Sequence, residues 1–563
     1  MQTLLALTAL ALALTPSFGA LSLTPNSTHL FLDDEGLAET LNISFALGDV
    51  RKEYATPAVV PTFPWEEGLH FYTSAVAVPA GAVAGVAAGF MLFYSCFTSK
   101  SPMYLCLAVS ADGETWTKPL TLNFPFNGTA TNRVFSVNAS SPGSWPGSVL
   151  LDAAAPAAER FKLSYEGAGG ERLIYLATSP DGVAWARQTP EVPIISQRLF
   201  SDTQTAIVHD AATGRYLAFG REDSDIGPNA DVGCEGNYPS LRRVLLATST
   251  TGAAGPYSTP VQILGPGFPD DYSCLDIYNP APIQVSGAIL LLPSSFRHYG
   301  IASAIPPYPP NASTSFNDGV LDVRLAVSRN GLNFSFVSRD AFIPRGVGYR
   351  DPTRGSFSVA DSDADAGFVF ATAGGLVDPA ALLAPADALA PTPPFPFAVP
   401  STRVSLLFFG TQRTHGGSVS HGAQGVLRAT MRREGWVSAR SPASDPVGAA
   451  AFLSVPLVVP SVASACGAPG AQLWLLLNAR TAVAGRVSIT LLASDARTPV
   501  PGYDTPTPFR GNAVRAPVGW ARGGAAGGNV TNDISALGGS SVVVRADLVH
   551  AEIFAWEVQC VLV

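Results

Sequence analysis

Charge is scarce in this sequence. Asp, Glu, Lys and Arg together make up 14% of it, and Lys and Arg never gather into a cluster. The 43 acidic side chains outnumber the 34 basic ones, for a net charge of -9. Nucleic acid selects for a basic face that neutralises phosphates, so that class of partner is excluded. Beyond residue 20 there is no unbroken run of 18 apolar residues, which argues against a membrane-spanning helix in the mature chain. Long windows of Ala, Glu, Lys and Leu at helical spacing are missing, whereas Gly (53) and Pro (47) are plentiful. That combination points to an all-β chain of short strands joined by turns. A phosphate-binding Gly-rich loop, an HExxH zinc helix and a GxSxG nucleophile elbow in a strand-turn-helix setting are missing as well.

Cysteine is sparse but even in number, with Cys96, Cys106, Cys234, Cys274, Cys466 and Cys560. None has the CxxC spacing of a thiolate zinc site, and no metal ligand set is expected. An even count suits an oxidising compartment. Of the 15 possible pairings, the expected one joins neighbours in sequence: 96 with 106, 234 with 274, 466 with 560. The start of the chain agrees. An apolar run from Leu4 to Leu14, then Pro16 and a small-residue exit at Ser17 to Ala20, reads as a secretory signal over residues 1–20, although it lacks the usual early Lys or Arg. Seven N-x-S/T sequons (Asn26, Asn42, Asn127, Asn138, Asn311, Asn333, Asn529) fit an exported glycoprotein. The expected location is therefore secreted or extracellular.

What the chain does have is a phrase that it repeats. "LCLAVSADGETW" (from Leu105) returns as "IYLATSPDGVAW" (Ile174), "VLLATSTTGAAGPY" (Val244), "VRLAVSRNGLNF" (Val323) and "VLRATMRREGW" (Val426). Aligned on Ala108, Ala177, Ala247, Ala326 and Ala429, the copies stand 69, 70, 79 and 103 residues apart. Such periods suit one four-stranded sheet each. Asp112-Gly113 and Asp181-Gly182 favour a tight hairpin, and turn chemistry accounts for the phrase without any catalytic role. Two further strands precede each copy, "GFMLFYSCF" and "YTSAVAV" in the first, "GRYLAFGRED" and "TQTAIVHD" in the third. Five such units predict a five-bladed β-propeller over residues 21–445. The Ala/Pro-rich stretch Val377 to Thr402 lengthens the fifth as a surface insertion. The alternating segments of residues 446–563, without the phrase, predict a small β-sandwich.

The run "SDTQTAIVHDAATGRYLAFGRED", with "DDYSCLDIYNPAPIQV", "LLLPSSFRHY" and "FFGTQRTHG", resembles a group of glycosidase-like proteins. That group is related to the five-bladed propeller enzymes of glycoside hydrolase families 32, 43 and 68. "FPWEEG" resembles its opening, and "PGYDTPTPFRGNAVRAPVGW" its C-terminal sandwich, with Asn512 where Asp is expected. The invertase opening NDPNG and the EC acid motif are absent.

Hydrolysis of a glycosidic bond needs two carboxyl groups, one to protonate the leaving oxygen and one to attack or activate water. The resemblance implies a third that orients substrate. In a propeller, residues just before the innermost strands converge on one mouth. Reading the five approaches gives Glu66 and Glu67, then only Trp145, then Asp202, Asp276 and Asp365. Glu66, Asp202 and Asp276, in the most family-like phrases, are the candidate catalytic set. Glu66 or Asp202 takes the nucleophile or base role, Asp276 the acid or orienter. Second-strand ends return to the same mouth and supply candidate substrate-binding residues Arg221, Arg297, His298 and His415, with Trp65 and Tyr278 as stacking platforms. No cofactor is expected; the resemblance leaves the axis open to calcium. The expected function is cleavage or transfer of glycosyl residues on a carbohydrate substrate, the alternative a catalytically silent carbohydrate-binding propeller. Oligomeric state is not readable.

Overall fold

The structure, a computed structural model, describes residues 21–23, 28–98, 103–136, 145–167, 173–196, 204–224, 241–267, 271, 275–298, 319–347, 363–382, 402–415, 423–442, 449–467, 470–522 and 529–562. The expected signal segment 1–20 and most of the 377–402 stretch lie outside them. Regular structure among the described residues is almost all β; helix is confined to Val462–Ala465 and a few 3-10 turns. No described helix is long and apolar enough to cross a membrane.

The repeated phrase closes in the same way in its two cleanest copies. Ser110 Oγ accepts the N–H groups of Asp112 (3.3 Å) and Gly113 (2.7 Å), and Asp112 Oδ1 accepts those of Glu114 (2.8 Å) and Thr115 (2.9 Å). Trp116 Nε1 then donates to the Gly113 carbonyl at 3.2 Å. Ser179, Asp181, Gly182, Val183, Ala184 and Trp185 repeat the set bond for bond. In the fourth copy Asn330 Oδ1 accepts from Leu332 and Asn333. The turn is thus wider than the two-residue hairpin that Asp-Gly predicts, since Val109 and Thr117 pair across it. The reason is that the Asp side chain itself stands in for a strand of backbone acceptors. The Thr115 and Glu114 N–H groups accordingly hold the Asp112 carboxyl below its ordinary value. Glycine is required by a φ of 78° at Gly113 and 77° at Gly182. It is also required by proximity. A Cβ at Gly113 would collide with Val377, and one at Gly182 would come within 2.8 Å of Met91 Cε.

Those two contacts reach neighbouring sheets. The first sheet comprises Gly68–Val78, Gly89–Phe97, Tyr104–Ser110 and Arg133–Ser136. The second comprises Pro146–Leu151, Phe161–Glu166, Ile174–Ser179 and Ala186–Arg187, the third Ala206–Asp210, Arg215–Ser224, Leu241–Ser249 and Val261–Leu264. The fourth is split. Pro282–Val285, Ala288–Leu291, Ala326–Ser328 and Ser335–Phe336 continue from Leu275–Tyr278, Ser294–His298 and Gly319–Val323. At the break Asn279 and Ala281 take φ values of 54° and 38°. The fifth has Phe368–Val377, Arg403–Thr411 and Gln424–Arg432, and its fourth strand, Val50–Glu53, comes from far earlier in the chain.

The first strands of these sheets touch in order, and the fifth touches the first. They do not make a closed sheet. Single parallel bridges join Ala373 to Ser74 and Leu321 to Phe368, and side chains lace the rest. Thr73 and Thr372 share a hydrogen bond of 2.7 Å between their hydroxyls; Ser74 Oγ accepts the Val149 N–H at 3.1 Å. Gln204 Nε2 donates to the carbonyls of Thr73 (2.9 Å) and Gly147 (3.1 Å), and Ser148 Oγ accepts the Ile207 N–H at 3.3 Å. Small hydroxyls in apolar strands are explained by this. Backbone groups that face another strand obliquely need a side-chain partner once buried. Between sheets the filling is apolar, as with Trp185, which meets Phe93 and Phe135 of the first sheet edge-on.

Residues 47–382 and 402–436 form one compact unit and residues 21–46 with 437–562 another. This differs from a division into 21–445 and 446–563. Thr28–Leu30 pairs with Ser541–Leu562 and Leu37–Leu41 with Ala449–Ser454, so the early strands serve the C-terminal unit. The sequence pattern conceals it, because an alternating strand does not name its partner. In that unit Ala471–Ala493 and Ser541–Leu562 run antiparallel over most of their length, over a core that includes Phe31, Trp520 and Trp556. Disulfides Cys96–Cys106 and Cys466–Cys560 form as expected; Cys234 and Cys274 lie outside the described residues.

Lys52, on the returning strand, pairs with Asp365, whose side chain is wholly buried at the start of the fifth sheet; Tyr54 donates to the same carboxylate at 2.9 Å. Removing one partner of a buried pair strands the other charge. Lys52→Met should therefore lower stability by about 3 kcal/mol or more in urea unfolding, and Lys52→Met with Asp365→Leu should recover most of it.

Candidate functional site

Glu66 is 1% exposed, and both of its carboxylate oxygens accept hydrogen bonds. Tyr94 donates to Oε1 (2.6 Å), while Oε2 accepts from Lys118 (2.7 Å) and from the backbone N–H groups of Thr62 (2.9 Å) and Phe63 (3.2 Å). Burial first, and then the Glu66 charge, push the Tyr94 hydroxyl well above its ordinary value, so it stays a donor. All these partners come from residues 62–118. The carboxylate therefore ties the approach segment to the first sheet. Trp65 belongs to the same knot: its Nε1 donates to Asn132 (2.8 Å) and its ring stacks on Phe63 at 4.5 Å. With 3% of its surface exposed it offers no face to a sugar.

Asp276 is fully buried in another setting. Its Oδ1 accepts the Arg242 N–H at 3.1 Å, and the Arg242 guanidinium lies 3.4 Å from Oδ2 and 5.6 Å from the centre of the Phe296 ring. Asp276 stands opposite Phe296 across the strand pair, on one face of the sheet. His415 reaches the same ring, 4.6 Å centre to centre, and its backbone N–H donates to the Gly319 carbonyl. Asp276, Arg242, Phe296 and His415 are thus one group. Arg297 is next in sequence to Phe296 but points to the opposite face, half-exposed, 3.8 Å from Asp322. The alternation of a strand separates Asp276 from Arg297, which the approach-by-approach reading put together. Arg221 is buried at the end of its strand, in register with Val244, near the Asp223 to Arg242 pair in the ladder. Tyr278 and His298 are described in their backbone alone, and Asp202 lies outside the described residues.

Arg242 and Asp322 are functional-looking residues that the sequence reading missed. "LRRVLL" does carry a signal, two arginines opening a strand in a chain otherwise poor in charge. The triplet Arg350-Asp351-Pro352 is another charged motif that the sequence reading missed, and it lies outside the described residues. Among the described residues no three of His, Cys, Asp and Glu gather as a metal site.

No family model matches the chain, and no curated protein matches it. Among solved structures it is similar to an N-acetylgalactosamine deacetylase from F. plautii in complex with blood group B trisaccharide, at 12% identity and a TM-score of 0.40, over 69% of this chain and 95% of that one. It is similar to a thermostable family-43 glycoside hydrolase (13%, TM-score 0.36, 68% and 96%) and to an α-L-arabinofuranosidase from Podospora anserina in complex with cellotriose (12%, TM-score 0.36, 69% and 97%). Glycoside hydrolases are thus among the solved structures that the chain resembles. Similarity of this degree places no residue of the chain in a reaction.

Lys118→Met tests the structural role of the Glu66 knot. The variant should be less stable by about 3 kcal/mol at neutral pH, because Glu66 loses its buried partner. The gap also has a pH dependence. Burial holds the Lys118 ammonium below its ordinary 10.5 against the opposing pull of Glu66. The unfolded chain then keeps that proton longer than the folded one, and stability rises with pH wherever the unfolded state binds more protons. Urea unfolding from about pH 7 to about 10 should show the wild type gaining on Lys118→Met as pH climbs. A gap that does not move with pH contradicts this.

Proposed function

We propose that residues 47–436 form a five-bladed β-propeller, that residues 21–46 and 437–563 form a β-sandwich, and that the whole is an exported, carbohydrate-active protein of the glycoside hydrolase kind. The observation that carries this reading is the circuit of first strands, in which the fifth touches the first. Such a circuit gathers the starts of five distant strands at one mouth. The two disulfides fit an oxidising compartment, and the sequons and the signal-like start support export.

Within that mouth Asp202, from its place before the third inner strand, is the proposed nucleophile or base. Asp276 is proposed as the orienting carboxylate, not the acid. A general acid has to carry a proton to the leaving oxygen, whereas Asp276 grips a guanidinium and is shielded from solvent. Its part is to fix Arg242, holding both its backbone N–H and its guanidinium. Phe296 and His415 supply the wall beside it. Glu66 leaves the catalytic set, since its contacts are those of a structural tie.

A specific observation favours a second reading, a silent carbohydrate-binding propeller. Glu66, Asp276 and Asp365, one carboxylate on each of three strand approaches, each have a cation inside the protein. None of the three stands free to act as a proton donor.

Assay of the exported protein against aryl glycosides and plant and algal polysaccharides decides between them. The enzyme reading expects sugar release that falls by roughly 100-fold or more in Asp202→Asn. Equal release by both proteins removes Asp202 from the site. Retention on a polysaccharide with no release from either protein sustains the binding reading instead.

A further inference from the structure

We infer that the unit of residues 21–46 and 437–563 carries a second site, a cationic cleft that takes an oxyanion, the carboxylate or sulfate ester of an acidic saccharide. The cleft is a concave space of about 510 Å³ lined by Arg440, Ser441, Arg480, Thr481, His550 and Glu552, among others.

Three neighbouring strands build it. Glu552 is paired with Arg440 on one side and with Arg480 on the other, so two guanidinium groups flank one carboxylate in a single cross-strand row. The two arginines are not equivalent. Arg480 donates Nε (3.3 Å) and a terminal nitrogen (2.8 Å) to the same oxygen of Glu552, and lies 5.8 Å from the centre of the Phe554 ring. Arg440 is exposed, and its guanidinium has no ion pair or hydrogen bond within the protein among the described residues. One carboxylate, already gripped from one side, leaves the second positive charge to solvent or to a ligand.

The floor of the cleft is fixed in advance. His550 takes a φ of 44°, in a stretch where the pairing of the two long strands shifts register between Thr481 and Arg486. Ser441 pins this irregular stretch, its Oγ accepting the Ala551 N–H (3.0 Å) and donating to the Ala551 carbonyl (3.3 Å). An open guanidinium in a cleft that His550 also lines, on a backbone that does not have to reorganise, suits the planar or tetrahedral oxygens of carboxylate or sulfate. The chain as a whole carries a net charge of -9, so this concavity is not one part of a generally basic surface. That a saccharide carries the anion rests on the function proposed above; the preference for an oxyanion rests on the cleft alone.

Electrophoresis of the whole protein through gels holding polygalacturonate, a sulfated galactan or neutral arabinan tests it, with Arg440→Glu and Arg440→Lys beside the wild type. At least one acidic polymer should retard the wild type, with affinity lower by roughly tenfold or more in Arg440→Glu. Arg440→Lys should keep part of it. Retardation by arabinan should be the same in all three. Response to polygalacturonate alone identifies a uronate, response to the galactan alone a sulfate ester, and either supports the site. No retardation of the wild type by either acidic polymer overturns it, as does retardation that Arg440→Glu leaves unchanged. Sugar release, measured in parallel, should not depend on Arg440, so its absence would count against the proposed reaction and not against the cleft.

Discussion

The rest of the larger unit depends on one pairing across the chain, that of Val50–Glu53 with Gln424–Arg432. A circuit of sheets built from consecutive segments has a weak seam where its last sheet meets its first. Here a strand from the beginning completes the sheet at the end, and its Lys52 reaches into that sheet to the buried carboxylate of Asp365. The hydroxyl bridge from Thr73 to Thr372 and the Gly113 turn against Val377 lie on the same seam. Hydrogen bonding, an ion pair and close packing thus act together at the place where ring strain and thermal opening would otherwise act first.

Low overall charge gives each remaining charge more weight. In the larger unit the buried carboxylates Glu66, Asp271, Asp276 and Asp365 each meet a Lys or Arg, whereas buried Asp152 accepts from the Tyr216 hydroxyl at 2.7 Å. For Asp271, burial works to raise the carboxyl, yet hydrogen bonds from Arg324 and the Gly267 N–H hold it below its ordinary value. Such pairs specify which segments meet more than they add net stability. They also restrict where chemistry can occur, because a carboxylate held by an internal cation orients other groups more readily than it exchanges a proton. In the smaller unit Arg480 grips Glu552, while Arg440, opposite Glu552 on the next strand, is exposed.

Much of the fold was legible because each recurring turn carries its own chemistry. Ser110, Asp112, Gly113 and Trp116 close one turn, and their counterparts from Ser179 to Trp185 close the next, so the phrase marks where these strands end. Two disulfides join cysteines that are consecutive among the six, one pair 10 and the other 94 residues apart. What could not be read was partnership at a distance. Nothing in "LAETL" says that it will lie against Ala449–Ser454, nor does "VRKE" announce that it finishes the fifth sheet. The site suffered from a different ambiguity. Glu66 and Asp276 stand near strand starts, but sequence position does not reveal which cations already hold them. For Arg297 the two-residue period of the strand puts the side chain on the face away from Asp276.

Hydrogen exchange followed by mass spectrometry on the intact protein tests the closing pairing most directly. If Val50–Glu53 is an integral strand, its amides and those of Gln424–Arg432 should exchange together and slowly, by the same opening. Free-peptide exchange at 50–53 beside continued protection at 424–432 would contradict the account.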